Sequence, residues 1–286
     1  MTVTNGIDVT TTDALAEITL SRLPDGGWLC AAQRNRLLEV LAAVDPSLTA
    51  VLLRSADRVM ARHPDGGSDL PGADDAAAPT LASLCHAVER CAVPVFVLLE
   101  GVVSGAGAEI ALAAQGRIAT PGARIVFSAG RLGRISGAGG TQRLPRLVGA
   151  EHALRLLMDA KPIPAPEALV IGLVDQIVEG ETQAESLAAA RLWVQAQAVS
   201  SRRPLGLADG RGFLQAVKAV RAAAVPGSLA MALADCTEAA LLLPAEQGFA
   251  LEATVAAERD DLPQTAALAQ LVRAERAAAQ TPEPLC

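Results

Sequence analysis

Residues 101–119 read Gly101-Val-Val-Ser-Gly-Ala-Gly-Ala-Glu109-Ile-Ala-Leu-Ala-Ala-Gln-Gly-Arg-Ile-Ala119, and residues 137–149 read Gly137-Ala-Gly-Gly-Thr-Gln-Arg-Leu-Pro-Arg-Leu-Val-Gly149. The first segment reads as strand, Gly-rich turn and helix. Small residues at 105–108 let backbone N–H groups come close to a ligand. The helix that follows, over 106–114, aims its dipole at that ligand. A carbonyl oxygen gaining charge there meets an oxyanion-hole arrangement. Glu109 stands about one turn into the helix, where it can act as a general acid or base. Taken alone, the same residues also fit a tight turn in which Glu109 only complements the dipole.

Working outward, 95–99 is a continuous apolar run, the mark of a strand buried on both faces. Residues 15–21 alternate as a strand, 31–44 carry apolar residues at helical spacing, and 50–53 is a short apolar strand. A turn signal covers 24–27, and a long loop rich in Gly, Pro and Asp covers 62–79. An amphipathic helix follows over 80–91, short strands fall at 117–119 and 124–127, and 137–140 opens a helix running through Arg146. Strands alternating with helices predict an α/β fold with crossovers. Beyond about Leu187 only helical patterns punctuated by prolines remain. The expected organisation is an α/β core over 1–186 and a helical C-terminal region over 187–286.

The chain has 286 residues, of which 51% are hydrophobic and 19% charged, which excludes disorder. No run of about 18 apolar residues reads as a membrane span. Residues 1–12 are polar, without the basic and apolar regions of a signal peptide. Net charge is −7, with 22 Arg against 2 Lys, so no basic nucleic-acid footprint is present. Five cysteines at irregular spacing predict reduced thiols in a cytoplasmic protein. The three histidines have no metal-ligand spacing, and no metal site is expected.

Together the two quoted segments resemble the crotonase (enoyl-CoA hydratase/isomerase) superfamily. The stretch "PIPAPEALVIGLVDQIV" ending at Val178 matches that family's usual run as well. The resemblance is clear over 51–178 and extends back to Leu15. The tail from Leu205, with "LVRAERAAA", looks like that of the hydratase half of bifunctional β-oxidation enzymes, and no G-x-G-x-x-G follows it in this sequence. The resemblance implies a ββα-spiral core, a homotrimer or dimer of trimers, and an acyl-CoA thioester substrate. It implies no cofactor besides that coenzyme A thioester; charge and hydropathy lead us to expect no nucleic-acid partner and no membrane span. Carried over by position, the first catalytic glutamate is Glu109 and one oxyanion donor is the Ala106 N–H.

Two departures stand out. Counting back from Gly133 and Gly137, the second glutamate position falls on Ala129, which cannot transfer a proton. The other oxyanion donor belongs to the loop after 51–53. Ungapped, Pro64 takes that position, and proline has no N–H. A slip of register puts His63 or Asp65 there instead. An insertion lets "GGSDL" at 66–70 supply the donor as the Ser68 N–H, the reading that restores Gly67 and Asp69 to their places. Loss of one oxyanion donor costs roughly 10²–10³ in rate, and loss of an acid/base group roughly 10²–10⁴.

Ser128, Arg131, His63 and Asp65 are further candidates to line the site. Arg131 suits a substrate carboxylate, although a solvated loop position explains it as simply. Three functions therefore stand. One is an enoyl-CoA hydratase or isomerase of weak or atypical activity. Another is a crotonase-fold enzyme of other thioester chemistry (hydrolase, decarboxylase or C–C bond formation). The third is a non-catalytic acyl-CoA-binding subunit.

Overall fold

In the computed structural model, the described residues are 6–21, 29–57, 59–60, 79–197, 207 and 209–280. The chain runs β1 (Ile7–Thr12), β2 (Leu15–Leu20), α1 (Ala31–Ala42), β3 (Ala50–Ser55), β4 (Val59–Met60), α2 (Leu81–Glu89), β5 (Val95–Leu99), β6 (Val102–Ser104), α3 (Ala106–Ala113), β7 (Gly116–Ala119) and β8 (Arg124–Val126). A 3-10 helix (Ser128–Leu132) leads into α4 (Gly140–Val148), α5 (Ala150–Asp159), β9 (Ile163–Pro164), α6 (Ala165–Val170) and β10 (Gln176–Ile177). Five helices follow: α7 (Gln183–Gln197), α8 (Gly210–Ala223), α9 (Leu229–Leu242), α10 (Ala245–Asp260) and α11 (Pro263–Gln280).

Two sheets form, ordered β1-β2-β3-β5-β7-β10 and β4-β6-β8-β9. Three strands of the first sheet are each followed by a short strand of the second and then by a helix: β3 then β4, β5 then β6, β7 then β8. That repeat is the expected ββα spiral. From β2 to β10 the first sheet is parallel, with Leu15 opposite Ala50 and Phe96 opposite Gly116. Parallel strands need apolar cover on both faces, and here the side chains alternate between two cores. Ile18, Val51, Leu53, Val95, Val97 and Leu99 face the larger core under α1–α5. Leu52, Phe96, Leu98 and Ile118 face Leu187, Ala190 and Val194 of α7. The boundary expected at 186 therefore falls inside a helix that covers the sheet.

The 95–99 run is buried at all five positions, as its composition predicts. Thr80 caps α2, its side chain accepting from the Ser83 N–H. The strand β1 is absent from the sequence reading. It pairs antiparallel with β2 at the sheet edge and buries only Ile7, so its Asp and Thr residues show no apolar alternation. The turn expected at 24–27 and most of the loop at 62–79 lie outside the described residues. Among the described residues, no helix is long and apolar enough to cross a membrane, and no His, Cys, Asp or Glu cluster is arranged to hold a metal ion. Cys30, Cys85 and Cys236 are free thiols, and the buried Cys91 Sγ donates to Leu41 O at 3.9 Å; Cys286 lies outside the described residues.

Candidate active site

Helix α3 is anchored at both ends. At its carboxyl end the buried Arg117 guanidinium donates to Ala114 O at 3.0 Å and to Leu173 O at 2.9 Å, and it pairs with Asp175 at 2.6 Å. At its amino end Gly105 turns the chain with φ +53°, a conformation L side chains rarely adopt. The N–H groups of Ala106 and the next residues head the helix, where no intrahelical acceptor exists. Met60, the last residue of β4, packs on this first turn: a Cβ at Gly107 would lie 2.4 Å from the Met60 carbonyl oxygen. Strand β4 thus ends against the amino end of α3.

Glu109 is buried, 5% exposed, and its Oε2 accepts from the Ala138 N–H at 2.8 Å. A carboxylate on α3 is thereby joined to the turn that opens α4. Arg143, also buried, donates to Ala138 O at 2.7 Å and to Glu89 at 2.9 Å, with its guanidinium 4.7 Å from the Phe249 ring centroid. His86 packs edge-on against the same ring, and burial together with the Arg143 charge lowers its pKa. Beside this cluster, burial pushes the Cys85 thiol well above its ordinary range, which disfavours the thiolate.

The structure places Ala106 and Glu109 one turn apart on α3 and Ser128 beside the amino end of that helix. The Ser128 hydroxyl lies 3.7 Å from where a Cβ on Gly105 would stand, beside the amino end of α3. Ala129 follows it in the 3-10 helix and is half-buried, and Arg131 on the same helix is exposed to solvent. His63, Pro64, Asp65 and Ser68 lie outside the described residues. Sequence reasoning missed Glu252. It is 1% exposed on α10, and its carboxylate accepts from Gly139 and Thr141 at the start of α4. Its signal is faint: Gly248 one turn earlier marks a close approach of α10 to Gln142.

A family model described as enoyl-CoA hydratase/isomerase matches residues 10–203, more than half the chain. The protein belongs to the enoyl-CoA hydratase/isomerase family. A peroxisomal bifunctional enzyme of Danio rerio is 36% identical to it over 242 residues, covering 75% of this chain and 33% of that protein. A peroxisomal fatty acid beta-oxidation multifunctional protein of Arabidopsis thaliana is 31% identical over 207 residues, covering 68% of this chain and 28% of that protein. The chain spans about a third of the length of these curated relatives. Among solved structures, an enoyl-CoA hydratase from Mycobacterium avium subsp. paratuberculosis K-10 superposes with a TM-score of 0.66 at 20% identity, over 94% of this chain and 96% of that one. At that identity the likeness speaks for the hydratase/isomerase fold.

Proposed function

We propose that this family member binds an acyl-CoA thioester with its carbonyl oxygen at the Ala106 N–H, and that Glu109 is the acid/base group. The observation that carries the reading is the buried Glu109 carboxylate, one turn into α3 and held by the Ala138 N–H. In the step so assigned, the Cα proton passes to the Glu109 carboxylate. The C–H electron pair moves into the thioester, and the enolate oxygen accepts from backbone N–H groups. Ser68 is the second donor in this reading, with the Pro64 region as the other register.

Hydration also needs a group that orients water, and Ala129 at the second position offers none. Weak hydratase or isomerase chemistry, of the kind used in fatty acid β-oxidation, is the first reading. Ala129 favours as the second reading another fate of the same enolate, set by other side chains. The thioester serves as substrate, and no cofactor enters either reading. A homotrimer or dimer of trimers accounts for the exposed Val170, Leu192, Val225 and Leu242; a monomer by light scattering at micromolar concentration contradicts that assembly.

The test is calorimetry with acetyl-, crotonyl- and longer acyl-CoA, paired with solvent exchange of the Cα proton of butyryl-CoA in deuterium oxide. Binding in the micromolar to millimolar range, with exchange that Glu109→Ala abolishes, is expected. No binding of any thioester, or exchange indifferent to Glu109→Ala, overturns the reading.

A further inference from the structure

Helix α10 grips the segment 133–141 at two places. Toward the end of α10, Arg259 Nε donates to Gly133 O at 2.6 Å, and Asp260 takes the Arg134 guanidinium in a fork at 2.5 and 2.8 Å. Near its middle, Glu252 accepts from the Gly139 N–H at 2.5 Å, from the Thr141 N–H at 2.8 Å and from the Thr141 hydroxyl. Ala138 sits between these grips and gives its N–H to Glu109.

A local residue cannot cap α4. Its capping position is Gly139 at φ +100°, and a Cβ there would fall 1.8 Å from Arg143 Nη1. The acceptor has to come from elsewhere in the chain, and Glu252 supplies it. The peptide between Ala138 and Gly139 is then pinned on both edges, its carbonyl by Arg143 and its N–H by Glu252. Burial of this carboxylate is costly enough to push it up to about 7 against its three donors and the Arg143 charge.

We propose that Glu252 is a positioning residue, fixing the 137–141 turn so that the Ala138 N–H holds the Glu109 carboxylate in its working orientation. The proposal rests on the reading of Glu109 as the acid/base group. A glutamine at 252 keeps one acceptor but turns its NH₂ toward an N–H donor, which loosens the turn without emptying the site.

The experiment compares wild type, Glu252→Gln and Thr141→Val by amide hydrogen exchange resolved to single residues, together with the butyryl-CoA exchange assay. In Glu252→Gln the Ala138 amide, whose acceptor is Glu109, should lose protection by about tenfold along with Gly139 and Thr141. Turnover should fall by about tenfold to a hundredfold while KM is unchanged. Thr141→Val should act in the same direction more weakly, and it carries the test if Glu252→Gln does not fold. Faster exchange at Gly139 and Thr141 with Ala138 protection and turnover unchanged overturns the proposal, leaving Glu252 a helix cap. A Glu109→Gln protein with the wild-type rate sinks the functional reading instead, and Ala138 protection then decides the clamp by itself.

Discussion

The Ala138 N–H lies 2.8 Å from Glu109 Oε2, so the backbone of one helix-opening turn holds the carboxylate of a neighbouring helix. The carboxylate needs this bond because it is buried, and a buried charge without donors pays the full desolvation cost. In the proposed reading the bond also fixes where the carboxylate meets the thioester. Glu109→Gln keeps an amide oxygen facing Ala138 and so should leave the fold intact. The amide cannot take a proton. Cα-proton exchange should therefore fall by roughly 10²–10⁴ with thioester affinity little changed. A variant that unfolds, or one that keeps its rate, contradicts the assignment.

Ala129 invites the opposite experiment. It lies half-buried in the 3-10 helix next to Ser128, whose hydroxyl borders the amino end of α3. Ala129→Glu puts a second carboxylate at the position where the family resemblance expects one. Crotonyl-CoA hydration should rise by about tenfold or more, since a positioned acid/base group contributes roughly 10²–10⁴ and the local turn was not shaped for it. The gain should vanish in the double variant with Glu109→Ala. A rise that survives removal of Glu109 means the two positions are misaligned.

The sequence exposed Glu109 and hid Glu252 for physical reasons. Glu109 belongs to a contiguous turn-helix signal in which every small residue has a local job. Glu252 owes its burial to packing of α10 on α4, with its partners more than a hundred residues away in the chain. The fully buried positions of α10 are Gly248, Glu252 and Arg259, and the apolar Phe249, Val255 and Ala256 beside them are only partly buried, so the hydrophobic stripe is weak. The parallel strands at 50–53 and 95–99 were legible because burial on both faces demands continuous apolar runs, whereas β10, two residues paired with β7, was too short to read. The edge strand β1, buried only at Ile7, made no such demand. The second oxyanion donor stays an expectation over 63–68, outside the described residues.

Gly107 tests how tightly β4 is tied to the site. A methyl group there would stand 2.4 Å from Met60 O and 2.9 Å from Met60 C, both backbone atoms. Gly107→Ala must push β4 off the first turn of α3, costing about 1–3 kcal/mol of stability as overpacking does. It also disturbs the amino end of α3, where the proposed thioester carbonyl binds, so thioester affinity should drop with stability. Gly122, with nothing within 4 Å of its would-be Cβ, is the control. Gly122→Ala should change stability by less than about 0.5 kcal/mol. Equal urea midpoints for the two variants would contradict the packing argument.

Glu252 makes a prediction about pH. Burial raises its carboxyl from the usual 4.5 to about 7. Below about pH 4.5 the folded and unfolded chains both carry its proton. Between 4.5 and about 7 the folded chain keeps the proton while the unfolded chain has lost it, so unfolding releases a proton and stability falls as pH rises. Above about 7 both forms are ionised and the contribution levels off. At about 1.4 kcal/mol per unit, the loss across that window is about 3 kcal/mol. His86 acts in the opposite sense in part of the same window, because burial lowers its pKa below 6.5 and its stabilisation is lost as pH falls. The quantity to measure is therefore the difference between wild type and Glu252→Gln, from urea unfolding between pH 5 and pH 8. Glutamine is neutral throughout and cannot follow the carboxyl through its titration. The stability of wild type relative to Glu252→Gln should decline steadily from pH 5 to pH 7 and then flatten. Parallel curves for the two proteins would mean that Glu252 does not hold a proton in the fold beyond its ordinary range.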